Sequence, residues 1–507
     1  MAISRFKKIL IANRGEIAVR VIRACRELGI LSVAIYPSPD RTSLHVRMAD
    51  EAYCLGEDPM GYLNTEKIVE SAVKSNTCAI HPGYGFLSEN PEFAQVCEQA
   101  GIVFIGPKPS SIEKMGHKIV ARKLMHKSGV PIVPGSTEPL QSAEQIQKLA
   151  REIGFPLLLK PAEGGGGKGM VLVREESELQ QAFQSSRRIS KSAFGSDLVY
   201  AEKYVEQPRH VEVQILADSF GKTIHLFERE CSVQRRHQKI IEETPSVFLN
   251  EQQREDICLK AVKAAVAIDY IGAGTVEFII DKKHNFYFME MNTRLQVEHP
   301  ITEWVTGVDI VKEQIRIAQG EKLLLDQNSL SQKGHSLECR IYAEDAENNF
   351  MPSPGRIHHL EMAQGPFIRV DSAIYEGYTV PQFYDPLIAK LSVWSYNRSA
   401  AISKMISSLN EFKIFGIKTT ERFLIDLLNN NDFKEGRYDT HLVENHLKKN
   451  GFLKKMTEDE ITCALIASGI CAYESRHRSL QDKFFNTDAS SWKGVSRRES
   501  LRNSYDI

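Results

Sequence analysis

The sequence lacks long apolar runs, which argues against a membrane-spanning protein. No stretch of the chain approaches the roughly 20 consecutive apolar residues that a helix needs to cross a bilayer. The N-terminus runs from MAISRFKK directly into the short apolar segment ILIA, without the apolar core of a secretory signal peptide. The sequence therefore predicts a protein of the cytoplasm with no membrane partner.

The sequence also lacks an excess of charge of either sign. Its 64 lysine and arginine residues almost cancel its 65 aspartate and glutamate residues, so no basic field favours nucleic acid as a partner. Any anion-binding site must arise from local clustering of basic groups. The nine cysteines include no CxxC pair, which is typical of reduced thiols. Cys231 alone lies among candidate site residues, and we interpret it as a small buried apolar residue.

What the sequence does contain is, first, a strand–helix–strand pattern at the N-terminus. The segment FKKILIANRGEIAVRVIRACRELGILSVAIY predicts a strand, a helix from about Ile17 to Leu28 that ends at Gly29, and a second strand. The turn after the first strand holds a single glycine, Gly15, so the GxGxxG fingerprint is absent and a nicotinamide enzyme is disfavoured. A later turn, HPGYGFLSEN, is either a ligand-binding turn or an ordinary connection.

The length of the chain predicts several domains. With 507 residues and 42% hydrophobic composition, the chain can bury more than one core. The pattern of elements predicts a multidomain protein of α/β and α+β class. The predicted parts are an open α/β domain at 1–113, an α+β domain at 114–334, a third domain at 335–450, and a helix with a polar tail at 451–507. The role of the last part stays open.

A glycine-rich loop joins two segments of strand type in PLLLKPAEGGGGKGMVLVR. It differs from a Walker A loop, because Lys168 is followed by Gly169 and a strand rather than by Ser or Thr and a helix. Unhindered backbone N–H groups, together with Lys160 and Lys168, favour phosphate binding. We predict a lid that closes over a nucleotide, with a flexible linker as the alternative.

Basic residues are concentrated in RECSVQRRHQK, within an otherwise neutral protein. Such a concentration of basic side chains favours phosphate or small oxyanions as ligands. A solvated basic loop is the alternative. The basic residues are Arg229, Arg235, Arg236, His237 and Lys239.

Two glutamates in GTVEFIIDKKHNFYFMEMN predict a cation site. If residues 282–285 form a hairpin loop, Glu277 lies opposite Glu290, with Cβ atoms roughly 5 Å apart, where two like charges are destabilising. A divalent cation removes the repulsion, and oxygen ligands favour Mg²⁺ or Mn²⁺. Asn292, on the same face, is a further candidate ligand. The alternative is an edge hairpin with both glutamates in water, and a shift of one residue in register would undo the pairing.

Polar residues alternate along EMNTRLQVEHP, which begins at Glu290. If the strand continues, these side chains share one face at a spacing of about 6.6 Å. Such a row suits a terminal phosphate beside a small anion, with Arg294 clamping the anion and Glu298 removing a proton from it. Cations around Glu298 predict that it stays ionised. A solvated strand face is the alternative. The row consists of Glu290, Asn292, Arg294, Gln296 and Glu298.

Together these segments resemble biotin carboxylase, an ATP-grasp enzyme of biotin-dependent carboxylases. The resemblance covers roughly Ser4 to Leu447 and rests on IANRGEIA, HPGYGFLSEN, EKY, RHVE, CSVQRRHQK, EMNTRLQVEHP, ECRIYAED, PSPG and YTVPQFYDP. It implies N- and C-terminal biotin carboxylase domains around a central ATP-grasp domain, whose lid spans about 131–204. The implied reaction forms carboxyphosphate from ATP and bicarbonate, and the CO₂ released from it carboxylates N1′ of biotin.

The resemblance also implies roles for the matching residues. The residues implied to bind ATP are Lys118, Lys160, the lid glycines Gly165, Gly166 and Gly167, the adenine hinge Glu202, Lys203 and Val205, and His210, Gln234 and His237. The implied metal ligands are Glu277, Glu290 and Asn292. The residues implied to bind bicarbonate or biotin are Lys239, Arg294, Gln296, Val297, Arg340, Tyr84 and Gly85. The implied catalytic residues are the base Glu298, the enolate-stabilising Arg340, Arg294 and Lys239.

The resemblance further implies ATP and Mg²⁺ or Mn²⁺ as cofactors, and carrier-bound biotin as a substrate. No AMKM-type biotin-attachment sequence is present, so we predict that the biotin carboxyl carrier protein is a separate polypeptide. A carboxyltransferase subunit is a second expected partner, and a homodimer is implied by the resemblance alone. Acetyl-CoA is the predicted final acceptor, with propionyl-CoA and pyruvate as alternatives.

Two positions depart from the family pattern, Glu163 in the glycine loop and His117 before Lys118. Both bear on lid motion or ATP affinity, and neither removes a named chemical group. Two other functions stay open, namely another ATP-grasp ligase, such as one that makes carbamoyl phosphate, and a catalytically silent nucleotide-binding subunit. The HPGYG and ECRIYAED segments argue against the first, and the presence of both Glu298 and Arg340 argues against the second.

Overall fold

A computed structural model describes residues 6–162, 169–451 and 458–485 of the chain. The chain forms two compact units, one over residues 1–452 and the other over residues 453–507. Every predicted site residue belongs to the first unit. Its strands and helices confirm the predicted mixture of α/β and α+β architecture.

The N-terminal part of the first unit is an open parallel sheet with helices. Its strands are β1 (Lys8–Ile11), β2 (Leu31–Tyr36), β3 (Glu51–Cys54), β4 (Ala79–His81) and β5 (Val103–Phe104). Its helices are α1 (Gly15–Glu27), α2 (Leu44–Met48), α3 (Thr65–Lys74), α4 (Pro91–Gln99) and α5 (Pro109–Gly116). The strand order is β3-β2-β1-β4-β5, and every pair is parallel. The predicted strand–helix–strand start is confirmed, and Gly29 follows α1 with φ +69°, a value that glycine adopts without strain.

The ends of β1 and β4 place two sequence motifs side by side. Ile11 pairs with His81 at the carboxyl edge of the sheet, so the segments that follow these residues meet there. Asn13 donates from Nδ2 to the carbonyls of Pro82 at 2.7 Å and Tyr84 at 2.8 Å. The HPGYG turn is therefore fixed by the IANRGEIA segment, through a contact between residues far apart in the chain.

A small three-stranded sheet follows, with helices packed against it. The helices are α6 (Lys118–Lys127), α7 (Ala143–Ile153) and α8 (Leu179–Phe194), and the strands are β6 (Leu157–Pro161), β7 (Val171–Val173) and β8 (Val199–Lys203). The sheet order is β7-β6-β8, with antiparallel pairs. Its core includes Ile146, Leu157, Leu159 and Phe183. The strands on both sides of the glycine loop are as predicted, whereas residues 163–168, which include Glu163 and Gly165 to Gly167, lie outside the described residues.

The largest sheet has eight strands and supplies most of the site. The elements that follow β8 are β9 (Arg209–Ala217), β10 (Thr223–Arg235), β11 (Gln238–Thr244), α9 (Glu251–Val266), β12 (Gly272–Ile280), β13 (Phe286–Asn292), α10 (His299–Thr306), α11 (Ile310–Ala318) and β14 (His335–Tyr342). Next come β15 (Glu344–Asp345), β16 (Met351–Pro352), β17 (Gly355–Arg356), β18 (His359–Glu361), β19 (Ile368–Ser372), β20 (Thr379–Val380), β21 (Leu387–Ser395), α12 (Arg398–Glu411), β22 (Lys413–Phe415), α13 (Glu421–Asn429), α14 (Asn431–Lys434) and α15 (Leu442–Asn450). The sheet order is β13-β12-β9-β10-β11-β14-β21-β19. Because β11 pairs with β14, this sheet runs across the boundary predicted at residue 334.

The second unit contains one long helix, α16 (Glu458–Phe485). The sequence predicts a helix over the apolar segment ITCALIASGICAY followed by a polar tail, and the helix continues through ESRHRSLQDKFF. Arg, Leu, Gln, Glu and Lys are good helix formers, so polarity alone does not end a helix. Residues 486–507 of the predicted tail lie outside the described residues. Within the part of the chain that the structure describes, no helix is long and apolar enough to cross a membrane.

Candidate active site

A cleft of about 1060 Å³ gathers the predicted site residues from all parts of the first unit. Its walls come from the HPGYG turn, the small sheet and the eight-stranded sheet. The predicted residues that line it are Tyr84, Gly85, Lys118, Lys160, Glu202, Lys203, Val205, His210, Gln234, His237, Lys239, Glu277, Glu290, Asn292, Arg294, Gln296, Val297 and Arg340. Glu298 is fully buried just behind this lining and contacts two of its members, Lys239 and Arg340.

The hairpin β12–β13 places Glu277 opposite Glu290, as predicted. The predicted four-residue loop is wrong, because Ile280 pairs with Phe286 and the loop therefore contains five residues, 281–285. The Asp281 side chain accepts hydrogen bonds from backbone N–H groups within this loop, at 2.8 and 2.9 Å. A bulge that leaves Met289 unpaired then shifts the register by one residue. The two deviations cancel, so the carboxylates still face each other.

The two glutamates differ in their electrostatic surroundings. Burial alone would raise the pKa of Glu277, but Lys239 and His210 hold it well below its usual range. Burial and the charge of Glu277 raise the pKa of Glu290. A cation between the two carboxylates would favour the ionised form of both. The facing carboxylates of Glu277 and Glu290 supply oxygen ligands of the kind that fits a hard divalent cation. Asn292 donates from Nδ2 to Oε1 of Glu277 at 2.7 Å, so its amide oxygen is not directed at this pair.

The polar row after Glu290 converges on the cleft, although its backbone differs from the prediction. Strand β13 ends at Asn292, so the predicted extended face as far as Glu298 is wrong. Arg294 donates to Oδ1 of Asn292 at 3.1 Å and to Oε1 of Gln296 at 3.3 Å. Gln296 donates in turn to Glu277 at 3.2 Å. Side-chain hydrogen bonds, rather than strand periodicity, bring the row together, because the chain turns here to begin α10 at His299.

Glu298 lies between two cations at the beginning of α10. Lys239 donates to its Oε1 at 2.7 Å, and Nη2 of Arg340 donates to its Oε2 at 2.9 Å. Although burial alone would raise the pKa of Glu298, the charges of Lys239, Arg340 and Arg229 hold it well below its usual range. The predicted ionised state follows from this arrangement. The thiol of Cys231 is also buried and lies 3.7 Å from Oε1 of Glu298, and burial raises its pKa well above the usual value.

The basic residues of RECSVQRRHQK do not act as one anion-binding cluster. Strands β10 and β11 and the turn between them direct these side chains to different places. Arg229 is fully buried against Glu212 at 2.6 Å, and Arg235 pairs with Glu344 at 2.7 Å. Arg236 bonds Asn349 in an exposed position, 3.1 Å away. Of the five basic residues, His237 and Lys239 line the cleft.

Lys239 is the cation on which three buried carboxylates converge. Its Nζ lies 2.5 Å from Glu212, 2.9 Å from Glu277 and 2.7 Å from Glu298. Burial would lower its pKa, but these carboxylates raise it well above the usual value. Glu212 is absent from the set predicted from sequence. The alternation in RHVEVQIL, which places His210 and Glu212 on one strand face, was the signal available to find it.

The nucleotide-binding residues predicted from the resemblance lie at the end of the cleft nearest the small sheet. Lys160 pairs with Glu202 at 2.5 Å, and buried Arg122, which the sequence did not single out, contacts the other carboxylate oxygen. Lys203 donates from Nζ to the Phe155 carbonyl at 2.6 Å, which ties its side chain to the small sheet. Burial lowers the pKa of Lys118.

The imidazole of His210 connects this end of the cleft to the glutamate pair. Its Nδ1 lies 2.7 Å from Nε2 of Gln234, and its Nε2 lies 3.0 Å from Glu277. His117 lies immediately before α6, which begins at Lys118.

Tyr84, Gly85 and Arg340 mark the opposite end of the cleft. Gly83 has φ +63°, and a Cβ there would lie 2.9 Å from Nδ2 of Asn13, so only glycine fits the turn. The guanidinium of Arg340 is buried and pairs with Glu242 at 2.6 Å in addition to Glu298. Glu242 is a second carboxylate that the sequence did not single out.

Known family models match three consecutive parts of the chain. The biotin carboxylase N-terminal domain matches residues 5–112, the ATP binding domain of the carbamoyl-phosphate synthase L chain matches 117–325, and the biotin carboxylase C-terminal domain matches 338–445. A biotin carboxylase from Nostoc sp. is 50% identical over 442 residues, which cover 87% of this chain and 99% of the relative. The chain belongs to the biotin carboxylase family of ligases. The resemblance stated from the motifs is thereby confirmed.

Relatives within the biotin carboxylase family serve different carboxylases. A pyruvate carboxylase component from Methanothermobacter thermautotrophicus is 50% identical over 443 residues, covering 87% of this chain and 90% of the relative. A solved structure shows the biotin carboxylase domain dimer of 2-oxoglutarate carboxylase from Hydrogenobacter thermophilus with MgADP, ADP and bicarbonate. It matches with a TM-score of 0.85 and 49% identity, covering 89% of this chain and 99% of that one.

Proposed function

We propose that this protein carboxylates biotin on a separate carrier protein, using ATP and bicarbonate. The observation that carries the proposal is Glu298, a buried ionised carboxylate held between Lys239 and Arg340 at the wall of a large cleft. Because Glu298 is ionised, it is free to accept a proton from a substrate bound beside Lys239 and Arg340. The same cleft is lined by the carboxylate pair Glu277 and Glu290, by the basic side chains of Lys239 and Arg294, and by Tyr84 and Gly85 of the HPGYG turn, which supports the proposal.

The bicarbonate pocket is proposed to consist of Lys239, Arg294, Gln296 and the backbone of Val297. Arg294 is held by Glu89 at 2.7 Å, and this ion pair fixes the guanidinium at the cleft wall. Glu298 takes the proton of bicarbonate, so that a bicarbonate oxygen can attack the γ-phosphorus of ATP and release ADP. The resulting carboxyphosphate breaks down to CO₂ and phosphate, the phosphate takes the proton from N1′ of biotin, and N1′ then bonds to CO₂. Arg340 stabilises the negative charge that develops on the biotin ureido group, beside Tyr84 and Gly85.

The proposed ATP site occupies the other end of the cleft. Lys118 and Lys160 are proposed to bind the phosphates, and Gly165 to Gly167 to form the lid. The proposed adenine hinge consists of Glu202, Lys203 and Val205. The remaining proposed contacts are His210, Gln234 and His237, which approach the ribose and phosphates. Glu277 and Glu290, with Asn292, would hold Mg²⁺ or Mn²⁺, which when bound offsets negative charge on the phosphates.

The proposed partners are a carboxyltransferase subunit, a biotin carboxyl carrier protein and a second copy of the chain. Support for the homodimer comes from the relative solved as a domain dimer. A partly exposed group of aromatic residues is a candidate surface for it. The ring centroids of Phe367 and Trp394 lie 4.8 Å apart, and those of Trp394 and Tyr396 lie 5.3 Å apart. We also propose that the protein acts in the cytoplasm. The proposed domains are residues 1–113, 114–334, 335–450 and 451–507, and the lid, at about 131–204, belongs to the second of them.

Acetyl-CoA is the proposed final acceptor, with pyruvate and propionyl-CoA as alternatives. The relatives carry the names of several carboxylases, and the acceptor is chosen by a transferase that this cleft does not contain. Combining the purified protein with its carrier and candidate transferases, and measuring which acyl-CoA or oxo acid gains carbon from labelled bicarbonate, identifies the acceptor.

The decisive experiment measures ADP release with MgATP and bicarbonate, with and without free biotin. We expect stimulation by biotin that depends on bicarbonate and is lost in Glu298→Gln. Glu66→Gln, at an exposed position of α3, is the matched control and should behave as the wild type. ADP release that ignores biotin would favour another ATP-grasp ligase, and bound ATP without turnover would favour a silent subunit.

A further inference from the structure

Two buried glutamates lie directly opposite each other beside Arg340. Glu242 on β11 pairs with Glu338 on β14 in the antiparallel register, and both side chains are fully buried. Opposed residues have Cβ atoms roughly 5 Å apart, where two buried negative charges repel each other strongly. Neither residue lines the cleft, and neither belongs to the site predicted from the sequence.

Only one of the four carboxylate oxygens of Glu242 and Glu338 accepts a hydrogen bond among the described residues. Oε1 of Glu242 accepts from Nε of Arg340 at 2.6 Å. Within residues 6–162, 169–451 and 458–485, the other oxygen of Glu242 and both oxygens of Glu338 have no hydrogen-bond partner. A proton on Glu338 would make that carboxyl group a donor, with the second oxygen of Glu242 as an acceptor across the strand pair. One proton between the two groups would therefore pair two of these three oxygens and remove the repulsion between two negative charges.

The surrounding charges favour a single negative charge on the pair rather than two. Burial raises the pKa of Glu242 to about 7 and that of Glu338 well above its usual range. The nearest cation to Glu242, Arg340, is already shared with Glu298. The charged groups that act on the pair are Arg340 on β14, Lys390 on β21, Lys239 on β11, Glu298 before α10 and, through its contact with Lys390, Glu16 on α1. The neutral ionisable groups nearby are Cys231, Cys339 and Tyr342, and burial raises the pKa of each of them.

We propose that Glu242 and Glu338 share one proton, and that Glu242 positions the Arg340 guanidinium for biotin. The inference rests on the proposed function, which gives the orientation of Arg340 its purpose. Nη2 of Arg340 is held by Glu298 at 2.9 Å, and this carboxylate loses its charge when it takes the proton of bicarbonate. Glu242 then keeps the guanidinium in place through Nε. Glu242 is the positioning residue, because it contacts Arg340, whereas Glu338 serves to hold the shared proton opposite Glu242.

The kinetic test compares Glu242→Gln with Glu338→Gln in the full chain, with Glu66→Gln as an exposed control. Glutamine has the shape of glutamate without its charge, so Glu338→Gln replaces a neutral acid with a neutral amide. We expect its kcat for biotin-dependent ADP release to stay within about threefold of the wild type. Glu242→Gln should lower this kcat by about 10- to 100-fold, as is usual when the support of an active-site group is lost, with the KM for ATP unchanged.

An infrared measurement tests the shared proton without kinetics. We expect the wild type at neutral pH to show the C=O band of a protonated carboxylic acid, and this band to weaken in Glu338→Gln. Glu16, whose pKa burial raises to about 7, contributes in both proteins and cancels in the difference. This comparison stands even where Glu242→Gln fails to fold.

Two results would overturn the inference. One is an unchanged acid band in Glu338→Gln, and the other is a loss of kcat in Glu338→Gln as large as that in Glu242→Gln. A wild type without biotin-dependent ADP release would instead contradict the proposed function, and the infrared comparison would still decide whether the proton is shared.

Discussion

Two neighbouring glutamates on β11 lie in opposite electrostatic surroundings. Glu242 lies beside Arg340 at the candidate active site, and burial raises its pKa to about 7. Glu243 lies on the other face of the strand, between His335 at 2.7 Å and Arg398 at 2.6 Å. Burial alone would raise the pKa of Glu243 as well, but hydrogen bonds from His335 and the charge of Arg398 lower it to about 2. Residue type and burial are the same, so the difference comes from the partners on each face.

We interpret this difference between Glu242 and Glu243 as a division of β11 into two faces. One face lies towards the proposed active site, and the other contributes to the stability of the fold. On the site face, Arg340 is shared between Glu242 and Glu298, and among the described residues both oxygens of Glu338 lack a hydrogen-bond partner. On the other face, Glu243 has two basic partners and also accepts a hydrogen bond from Tyr438. A fully paired buried carboxylate is expensive to disturb, whereas a shared or partly paired one can exchange protons at modest cost.

The largest expected effect is on the site face, in Glu298→Gln. Removing a general base typically costs about 10²- to 10⁴-fold in rate, and we expect a loss of this size in biotin-dependent ADP release. Nucleotide binding should remain, because Glu298 lies behind the cleft lining. Steady-state assays together with ATP binding by calorimetry check both parts. A variant that retains more than a tenth of the wild-type rate would remove Glu298 from its proposed role.

The matching substitution on the other face is Glu243→Gln. It leaves Arg398 without its carboxylate partner, and breaking such a buried pair costs about 3–5 kcal/mol of unfolding free energy. We expect denaturant unfolding to show this loss, while the kcat of the folded fraction stays near the wild-type value. If the rate fell with stability unchanged, the division between the two faces would be wrong.

The pH dependence of the unfolding free energy should also reveal the lowered pKa of Glu243. Its pKa is lowered from 4.5 to about 2, so its stabilising contribution is present above pH 4.5 and is lost as the pH falls towards 2. A shift of this size corresponds to about 3 kcal/mol. Unfolding measured along this pH range should show a steeper loss for the wild type than for Glu243→Gln. Equal slopes would mean that other groups dominate the acid transition.

A smaller effect is expected at the glutamate pair of β12 and β13. Glu290→Gln removes one carboxylate ligand, and we expect the Mg²⁺ concentration for half-maximal ADP release to rise at least about tenfold. Chelation of the metal should abolish turnover in both proteins. Glu66→Gln again serves as the control, and an unchanged Mg²⁺ requirement in Glu290→Gln would place the metal elsewhere.

The smallest effect is expected outside the first unit altogether. Deleting residues 457–507 removes α16 and none of the residues that line the cleft. We expect kcat with free biotin to change by less than about twofold, as for other changes far from a site. A comparison with carrier-bound biotin and the transferase then tests whether this segment contributes to docking, and unchanged affinities for both partners would exclude that role.

The β12–β13 hairpin shows how far sequence reasoning carries, and where it stops. Glu277 and Glu290 face each other as predicted, yet the loop is one residue longer than predicted and a bulge restores the register. The loop length depends on hydrogen bonds to Asp281, and the bulge depends on packing against neighbouring segments, such as the backbone bond from Phe288 to Pro131 at 2.7 Å. Periodicity in one segment contains no information on either.

A second bulge explains why Glu242 escaped prediction. Gln234 opposes Lys239 while Val233 opposes Ile241, so β11 carries one extra residue, Ile240. Without that bulge, strand alternation would place Lys239 and Glu242 on opposite faces. With the bulge, Lys239 and Glu242 lie on the same face, where Lys239 donates to Glu298 and Glu242 accepts from Arg340. Arg122, Glu89 and Glu212 were missed for a related reason, since each acts on a partner that is distant in sequence.

The sequence by itself determined the parallel N-terminal sheet, the strands beside the glycine loop and the family, and the family resemblance identified many of the polar side chains that line the cleft. These follow from local periodicity, glycine geometry and motif order, which each segment carries within itself. The sequence also predicted the ionised state of Glu298, but the tertiary structure alone decided the charge state of the other buried carboxylates and which cation each of them contacts. Charge state depends on burial and on the groups facing from other strands, and these are set only when β11, β14 and the beginning of α10 come together.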